Sequence, residues 1–291
     1  MPERPRAPGR PLPPLTRESH SATDASARLR PISSGQNALV KQLRAAFRSA
    51  ELTDDGCCAI ESVHLVEEAV RSGLRFKALF FSESGRSRAD RLLSQISKNV
   101  EAVVLADDLF ESAVATEHPQ GVAALVQLKQ RSLEDALAGE SPVVLVAAGV
   151  QDPGNLGTMV RSAEAFGSAA VITTSGTVSP YNSKVIRASA GSLFRLPVVA
   201  AKSSELLATL RQRGVRLVAT SSHKGTSIDE AQLSGTVAIF VGNEGAGLPR
   251  DLSGEMEEFV LIPHSPRVES LNAGIAASIV LYEIARQRRE K

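Results

Sequence analysis

The sequence predicts an α/β protein in two parts, a small α/β sandwich followed by an open α/β domain on a parallel sheet. Three observations predict it. After residue 31, short apolar runs alternate with segments of helical period along almost the whole chain. A stretch of linker composition interrupts that alternation at 129–141. Beyond it, residues 143–150 are apolar without a break, as a strand covered on both faces of a parallel sheet has to be. With 291 residues the chain is long enough for two domains, each with its own core.

Taken in order, residues 1–31 are rich in Pro, Arg, Ser and Ala and lack an apolar period, so they are expected to form a disordered tail. Leu39, Leu43 and Phe47 repeat every four residues and predict a helix over 37–48. Strands are expected at 58–63, 76–81, 102–105 and 122–128, with helices at 65–71, ended by Gly73, and around 92–96. These units assign 32–128 to the sandwich. Its positive charge sits in Arg71, Arg75 and Lys77, then in Arg86, Arg88 and Arg91. A solvated face and an RNA-contacting face both fit that pattern. Residues 129–141 hold Gly139 and stop before Pro142, and so read as the linker. The second domain, 142–291, has strand-like runs at 143–150, 169–173, 217–220, 237–241 and 259–262. Helices between them imply an open sheet with its ligand site at the carboxyl ends of the strands.

Composition narrows the function. An apolar fraction of 43% with 22% charged residues is ordinary for a globular protein. No run approaches the roughly 20 apolar residues that span a bilayer. The opening Met-Pro-Glu-Arg-Pro-Arg lacks the apolar core of a secretory signal, and a cytoplasmic protein is expected. Cys57 and Cys58 are adjacent, which suits buried small hydrophobes and neither a metal site nor a redox pair. The five histidines are scattered, so no metal is expected. A net charge of +1 means that a nucleic acid would be held by local patches. With no Trp and two Tyr, a stacking platform for single-stranded bases is not expected.

Three blocks carry the chemistry. The first, Gln151-Asp152-Pro153-Gly154-Asn155-Leu156-Gly157-Thr158-Met159-Val160-Arg161, follows the first strand of the second domain. Pro153 and Gly154 suit a turn, Asn155 an N-cap, and Gly167 the end of the helix that follows. Such a helix start offers free N–H groups to an anion, and Gly154 and Gly157 leave room for close approach. The second block, Gly242-Asn243-Glu244-Gly245-Ala246-Gly247, follows a strand, yet its glycines are spaced in the reverse of the dinucleotide-binding order. No Walker lysine follows any glycine-rich loop either. The third block runs through Ile262-Pro263 to Ser270-Leu271-Asn272 and a helix of small residues.

Together these blocks resemble the signature motifs of the SpoU-type (TrmH-like) RNA 2′-O-ribose methyltransferases of the SPOUT superfamily. The matching residues are Asn155-x-Gly157-x-x-x-Arg161, then Val241-Gly242-Asn243-Glu244-Gly245-x-Gly247-Leu248, then Ile262-Pro263 with Ser270-Leu271-Asn272. The likeness extends to Ser189-Ala190-Gly191-x-Leu193-Phe194-Arg195-x-Pro197 and to Tyr282-Glu283. In the first part, Val66-Glu67-Glu68-Ala69 and Pro119-Gln120-Gly121-Val122 are similar to the L30e-like substrate-binding domain of these enzymes. The resemblance implies a C-terminal trefoil-knot domain, S-adenosylmethionine as cofactor, structured RNA as substrate (23S ribosomal RNA ahead of tRNA) and a homodimer. Carried over by position, Thr220, Gly242, Ile262 and Leu271 would bind the cofactor. Arg161, Asn155, Glu244, Ser270 and Asn272 would line the reaction site. Residues 264–269 are more polar than the family's glycine-rich version, and Ala273 stands where valine is frequent.

Methyl transfer to a ribose 2′-hydroxyl is an in-line displacement, so two partners must be positioned and one proton removed. Arginine keeps its proton at ordinary pH. Arg161 is therefore expected to bind the neighbouring phosphate and favour the developing alkoxide, while the proton leaves through phosphate, Ser270 or water. In the last helix, Ala273, Gly274, Ala276, Ala277 and Ser278 form a small-residue surface beside an apolar stripe of Leu271, Ile275, Ile279 and Tyr282. That surface suits close packing within the domain or across a two-fold axis. The rival readings are a non-catalytic RNA-binding protein of the same fold and a dinucleotide-dependent oxidoreductase, which the reversed glycine spacing opposes.

Overall fold

The computed structural model describes residues 28–139 and 142–290. Contacts divide the chain into two compact units, one ending at Leu128 and the other beginning at Lys129, with Ser49–Leu52 belonging to the second. Each is an α/β layer structure with its own apolar core.

In the first unit the strands are β1 (Leu29–Ile32), β2 (Cys57–Glu61), β3 (Arg75–Ser82), β4 (Glu101–Leu105) and β5 (Val122–Gln127). They form a mixed five-stranded sheet in the order β1-β4-β3-β5-β2. β5 runs antiparallel to both of its neighbours, and the remaining pairs are parallel. Helices α1 (Ala38–Ser49), α2 (Val63–Arg71), α3 (Ala89–Leu93) and α4 (Asp107–Ala113) cover it. Val40 and Leu43 of α1 are fully buried against Phe80, Val103 and Phe110, so the four-residue repeat is the core face of that helix. Gly73, at φ +66°, ends α2 with its N–H on the Val70 carbonyl.

Two expectations shift here. The tail expected over 1–31 lies outside the described residues as far as 27, but Leu29–Ile32 form a strand. Ile32 is buried there, and Arg30 pairs with Glu101 across the ladder at 2.8 Å. The stretch expected as linker contains α5 (Leu133–Ala136). Ser132 and Asp135 form a reciprocal capping box at its start, and Leu133, Ala136 and Leu137 are buried in the second core. Residues 140 and 141 of that stretch lie outside the described residues.

The second unit holds β6 (Val143–Ala147), β7 (Ala170–Thr173), β8 (Val198–Ala200), β9 (Arg216–Ser221), β10 (Thr226–Ser227), β11 (Val237–Val241) and β12 (Glu258–Leu261). All pairs are parallel, in the order β10-β12-β9-β11-β6-β7-β8. β6 and β11 are buried along their whole length at the centre of the sheet, which explains their unbroken apolar sequence. From β6 the chain moves outward to β7 and β8, then crosses to β9 on the far side of β11. The carboxyl ends of β6 and β11 therefore mark the point where strand order reverses. Helices α6 (Pro153–Ala165), α7 (Ser183–Ala188), α8 (Ser203–Gln212), α9 (Arg250–Ser253) and α10 (Ala273–Arg289) complete the unit. Among the described residues no helix is long and apolar enough to cross a membrane.

Candidate active site

The three sequence blocks converge at the carboxyl ends of β6, β9, β11 and β12. The first forms the start of α6, though not as its sequence suggests. The N-cap is Asp152, whose side chain accepts the Asn155 N–H at 2.8 Å, and Pro153 takes the first helical position. Asn155 is thus one turn inside, and its side chain is released for another use. Pro153 and Gly154 belong to the helix instead of a preceding turn. Gly157 also differs from expectation. A Cβ there would lie 2.4 Å from the Ala188 Cβ and 2.8 Å from the Val185 carbonyl oxygen, so the glycine lets α6 and α7 touch and makes no room for an anion.

The second block leaves β11 as a closed loop. Asn243 and Gly247 exchange backbone hydrogen bonds at 3.0 and 2.9 Å, and the Asn243 side-chain oxygen accepts the N–H groups of Gly245 and Ala246 at 3.0 and 3.1 Å. Gly242 is enclosed by this fold-back, since a Cβ on it would meet the Gly247 carbonyl at 2.4 Å. Gly247 has φ +68°, the left-handed region that favours glycine.

The third block follows β12. His264 donates its Nδ1–H to the Ile262 carbonyl at 2.7 Å. Asn272 caps α10, accepting the Ile275 N–H at 3.2 Å, and its amide nitrogen donates to the Asn155 side-chain oxygen at 2.8 Å. Asn155, which is 8% exposed, donates in turn to the Glu244 carboxylate. One chain of hydrogen bonds, Asn272 to Asn155 to Glu244, therefore ties the three blocks together. It also orients both amides, because each acts as donor and acceptor in a fixed sense.

α6 and α10 pack closely beneath this chain. A Cβ on Gly274 would lie 3.2 Å from that of Thr158 and 3.3 Å from the Asn155 carbonyl oxygen, and the Ser162 and Ser278 hydroxyls meet at 2.6 Å. The small-residue surface of α10 is thus used inside the unit. Its apolar stripe is used differently, because Ile275 and Tyr282 are 52% and 50% exposed. Tyr282 leans edge-on against Phe166, with ring centroids 5.8 Å apart.

A cleft of about 500 Å³ opens beside the hydrogen-bond chain, within the usual range for a small-molecule site. Thr220, Gly242, Ile262 and Leu271 line it, as do Glu244 and Ser270. Phe259, Leu248, Ala273 and Ala276 supply apolar wall, and the Lys224 ammonium sits 3.9 Å above the Phe259 ring. Asn155 and Asn272 stand behind the cleft through Glu244. Arg161 is apart from this group, on the exposed side of α6 and not on the cleft wall. Sequence reasoning missed Asp152 as the cap, Asn243 as the loop's internal clamp and His264 on the wall. An Asp-Pro pair at a helix start and an Asn two residues before a glycine are signals that point to the first two. Among the described residues no group of three or more His, Cys, Asp or Glu side chains is placed to hold a metal ion.

Comparison with known proteins places these features in context. The model of the SpoU rRNA Methylase family matches residues 142–282, and that of the MRM3-like substrate binding domain matches 37–124. The 23S rRNA (guanosine(2553)-2′-O)-methyltransferase RlmP of Bacillus subtilis is 34% identical over 256 residues, covering 88% of this chain and 99% of that protein. Among solved structures, the SpoU methyltransferase AviRb of Streptomyces viridochromogenes in complex with AdoMet superposes with a TM-score of 0.79 at 28% identity, over 87% of this chain and 98% of that one. An AdoMet-bound rRNA methyltransferase of Sinorhizobium meliloti gives 0.78 at 27% identity, over 89% and 98%.

Proposed function

The chain belongs to the SpoU rRNA methylase family, and from that premise we propose that it is an S-adenosylmethionine-dependent 2′-O-ribose methyltransferase of structured RNA, with 23S ribosomal RNA as substrate ahead of tRNA. The observation that carries the reading is the cleft at the ends of β9, β11 and β12, walled by residues of the second and third blocks and braced by the Asn272–Asn155–Glu244 chain. Its donor set suits the cofactor. The apolar wall and exposed backbone of Gly242, Ile262 and Leu271 suit an adenosine, and the Glu244 and Glu269 carboxylates suit a cationic sulfonium and amine. Thr220, Gly242, Ile262 and Leu271 hold the cofactor in this reading. When bound, it supplies an electrophilic methyl group.

The chain's own residues do the rest. Asn155 and Asn272 fix the Glu244 carboxylate at the reaction site, and Ser270 stands on the same wall as a relay. Arg161 binds the phosphate next to the target ribose and lowers the energy of the developing alkoxide; the proton leaves through phosphate, Ser270 or water. Its exposed position on α6 supports a site completed by a second subunit. We take the protein as a homodimer through the side of α10 that carries Ile275 and Tyr282, because half-exposed large apolar side chains favour burial against a copy. Residues 32–128 read the RNA, residues 142–291 perform the transfer in a knotted domain, 129–141 join them, and the protein works in the cytoplasm.

Calorimetry with S-adenosylmethionine tests the cofactor assignment, and absence of binding would leave a non-catalytic RNA-binding protein. Mapping 2′-O-methylation in total RNA from cells with and without the gene identifies the substrate. A single lost mark in 23S RNA supports the assignment; an unchanged map overturns it. Light scattering that finds a stable monomer at micromolar concentration removes the dimer.

A further inference from the structure

The second block builds two clefts, one on each side of itself. Asn243, Ala246, Gly247 and Leu248 line the cleft described above and also a second one, of about 470 Å³, whose other wall is Ala148, Gly149, Gln151, Pro249 and Arg250. This second cleft lies where β6 and β11 end, the position at which strand order reverses and at which open parallel sheets present their ligands. The methyl-transfer reading gives it no task, and Gln151 and Arg250 likewise have none.

Its floor is built to stay fixed. Gly149, at φ +73°, donates its N–H to the Thr177 hydroxyl at 2.9 Å, and that hydroxyl donates to the Ala147 carbonyl at 2.9 Å. The Asn243 amide reaches the Gly149 carbonyl at 3.4 Å, so the loop after β6 is tied to the loop after β11. Upon this floor the two larger polar side chains face solvent. Gln151 and Arg250 are exposed, and among the described residues no carboxylate pairs with Arg250. Asp251, the next residue, is exposed and forms no ion pair with Arg250, while Asp152 and Glu244 are engaged, as the cap of α6 and as the end of the Asn155 hydrogen bond. An unpaired guanidinium beside a side-chain amide, in a cleft rimmed by glycine backbone, fits a phosphodiester with a base edge beside it.

We propose that this second cleft is an RNA subsite, in which Arg250 binds a backbone phosphate and Gln151 a base or sugar group of a nucleotide flanking the methylated one. The inference rests on the RNA methyltransferase reading above and adds to it a place where the substrate strand is gripped. Glu244 is on the loop that forms the partition, so a strand held in the second cleft is fixed relative to the reaction site in the first. The contact positions the acceptor and leaves the methyl donor untouched.

The test uses the full chain, with unmodified in vitro transcribed 23S rRNA as the probe, in filter binding over a range of salt concentrations, and S-adenosylmethionine calorimetry alongside. Arg250→Ala is expected to weaken RNA binding about tenfold and to lower the slope of log affinity against log salt by nearly one, the signature of one lost phosphate contact. Gln151→Ala is expected to weaken binding by about threefold with the slope unchanged, because it removes a neutral contact. Both variants keep wild-type cofactor affinity and melting temperature. Unchanged RNA affinity and slope in Arg250→Ala overturn the proposal. Equal loss of cofactor affinity also overturns it, since the cleft would then be part of the cofactor site. If the wild-type protein binds cofactor but not the transcript, the 23S assignment itself fails and the subsite falls with it.

Discussion

The two units spend their charge in opposite ways. In the first unit, half of the six basic residues that look in sequence like a polyanion-binding face are taken up by its own carboxylates. Arg71 pairs with Glu68 at 2.6 Å, Arg91 with Glu67 at 2.5 Å, and Lys77 with Asp55. Glu67 and Glu68 are buried, 7% and 8% exposed, so their carboxylates need the arginine charges beside them. Arg86 and Arg88, on a 3-10 turn after β3, stay exposed. In the second unit Asp152 and Glu244 are engaged near the clefts by backbone and amide donors, and Arg161 and Arg250 are exposed. A count of basic residues therefore overstates the charge that the first unit has free for a polyanion.

That contrast can be broken or sharpened by substitution. The largest effect is expected for Arg161→Ala. Turnover should fall by at least about a hundredfold, the size of a lost electrostatic contact to developing charge, while cofactor affinity measured by calorimetry stays within about twofold. A loss of cofactor binding instead would reassign Arg161 to the first cleft. Gly242→Ala comes next. The new methyl group must displace the Gly247 carbonyl, so cofactor affinity should drop about tenfold or more and the melting temperature should fall with it. In the first unit the outcome should be inverted. Glu67→Ala frees Arg91, leaves Arg71 on Glu68 and opens a void at a buried position, which is expected to cost about 1–3 kcal/mol in thermal unfolding with cofactor affinity intact. If Glu67→Ala leaves stability unchanged, the pairs are incidental and the first unit's charge is as available as that of the second.

The smallest effect is in acid. The Asp55 carboxyl is held below its ordinary range first by the Lys77 ammonium and then by the Thr53 hydroxyl. Because the folded value is the lower one, this carboxylate stabilises the fold above the unfolded value and the contribution fades as pH falls through the folded value. Lys77→Met should therefore lower the melting temperature slightly at neutral pH, with the difference from wild type shrinking below about pH 4.

The sequence exposed the long elements and the motif residues because both follow from local rules. The apolar repeat of α1 and the unbroken runs of β6 and β11 each state their burial directly. Short elements escaped. β8, β10 and α4 are too brief for a period to emerge, and α5 hid in a stretch whose Gly139 and polar residues read as linker although Leu133 and Leu137 are buried. At the site, residue types were legible and partners were not. Asn155 looks like a cap in sequence; only the fold reveals that Asp152 takes that place and sends Asn155 toward Glu244 and Asn272. Gly157 looks like room for a ligand, and its reason is an alanine in another helix.

The hydrogen-bond chain that joins the three blocks also sets a timetable. Asn155 is separated by 89 residues from Glu244 and by 117 from Asn272. Synthesis from the N-terminus completes the first unit, and then most of the parallel sheet, before Asn272 leaves the ribosome. Until then Asn155 has neither of its side-chain partners' full arrangement, and the cleft lacks the wall that Ser270 and Leu271 provide. The cleft is therefore complete only once the last helix has been made.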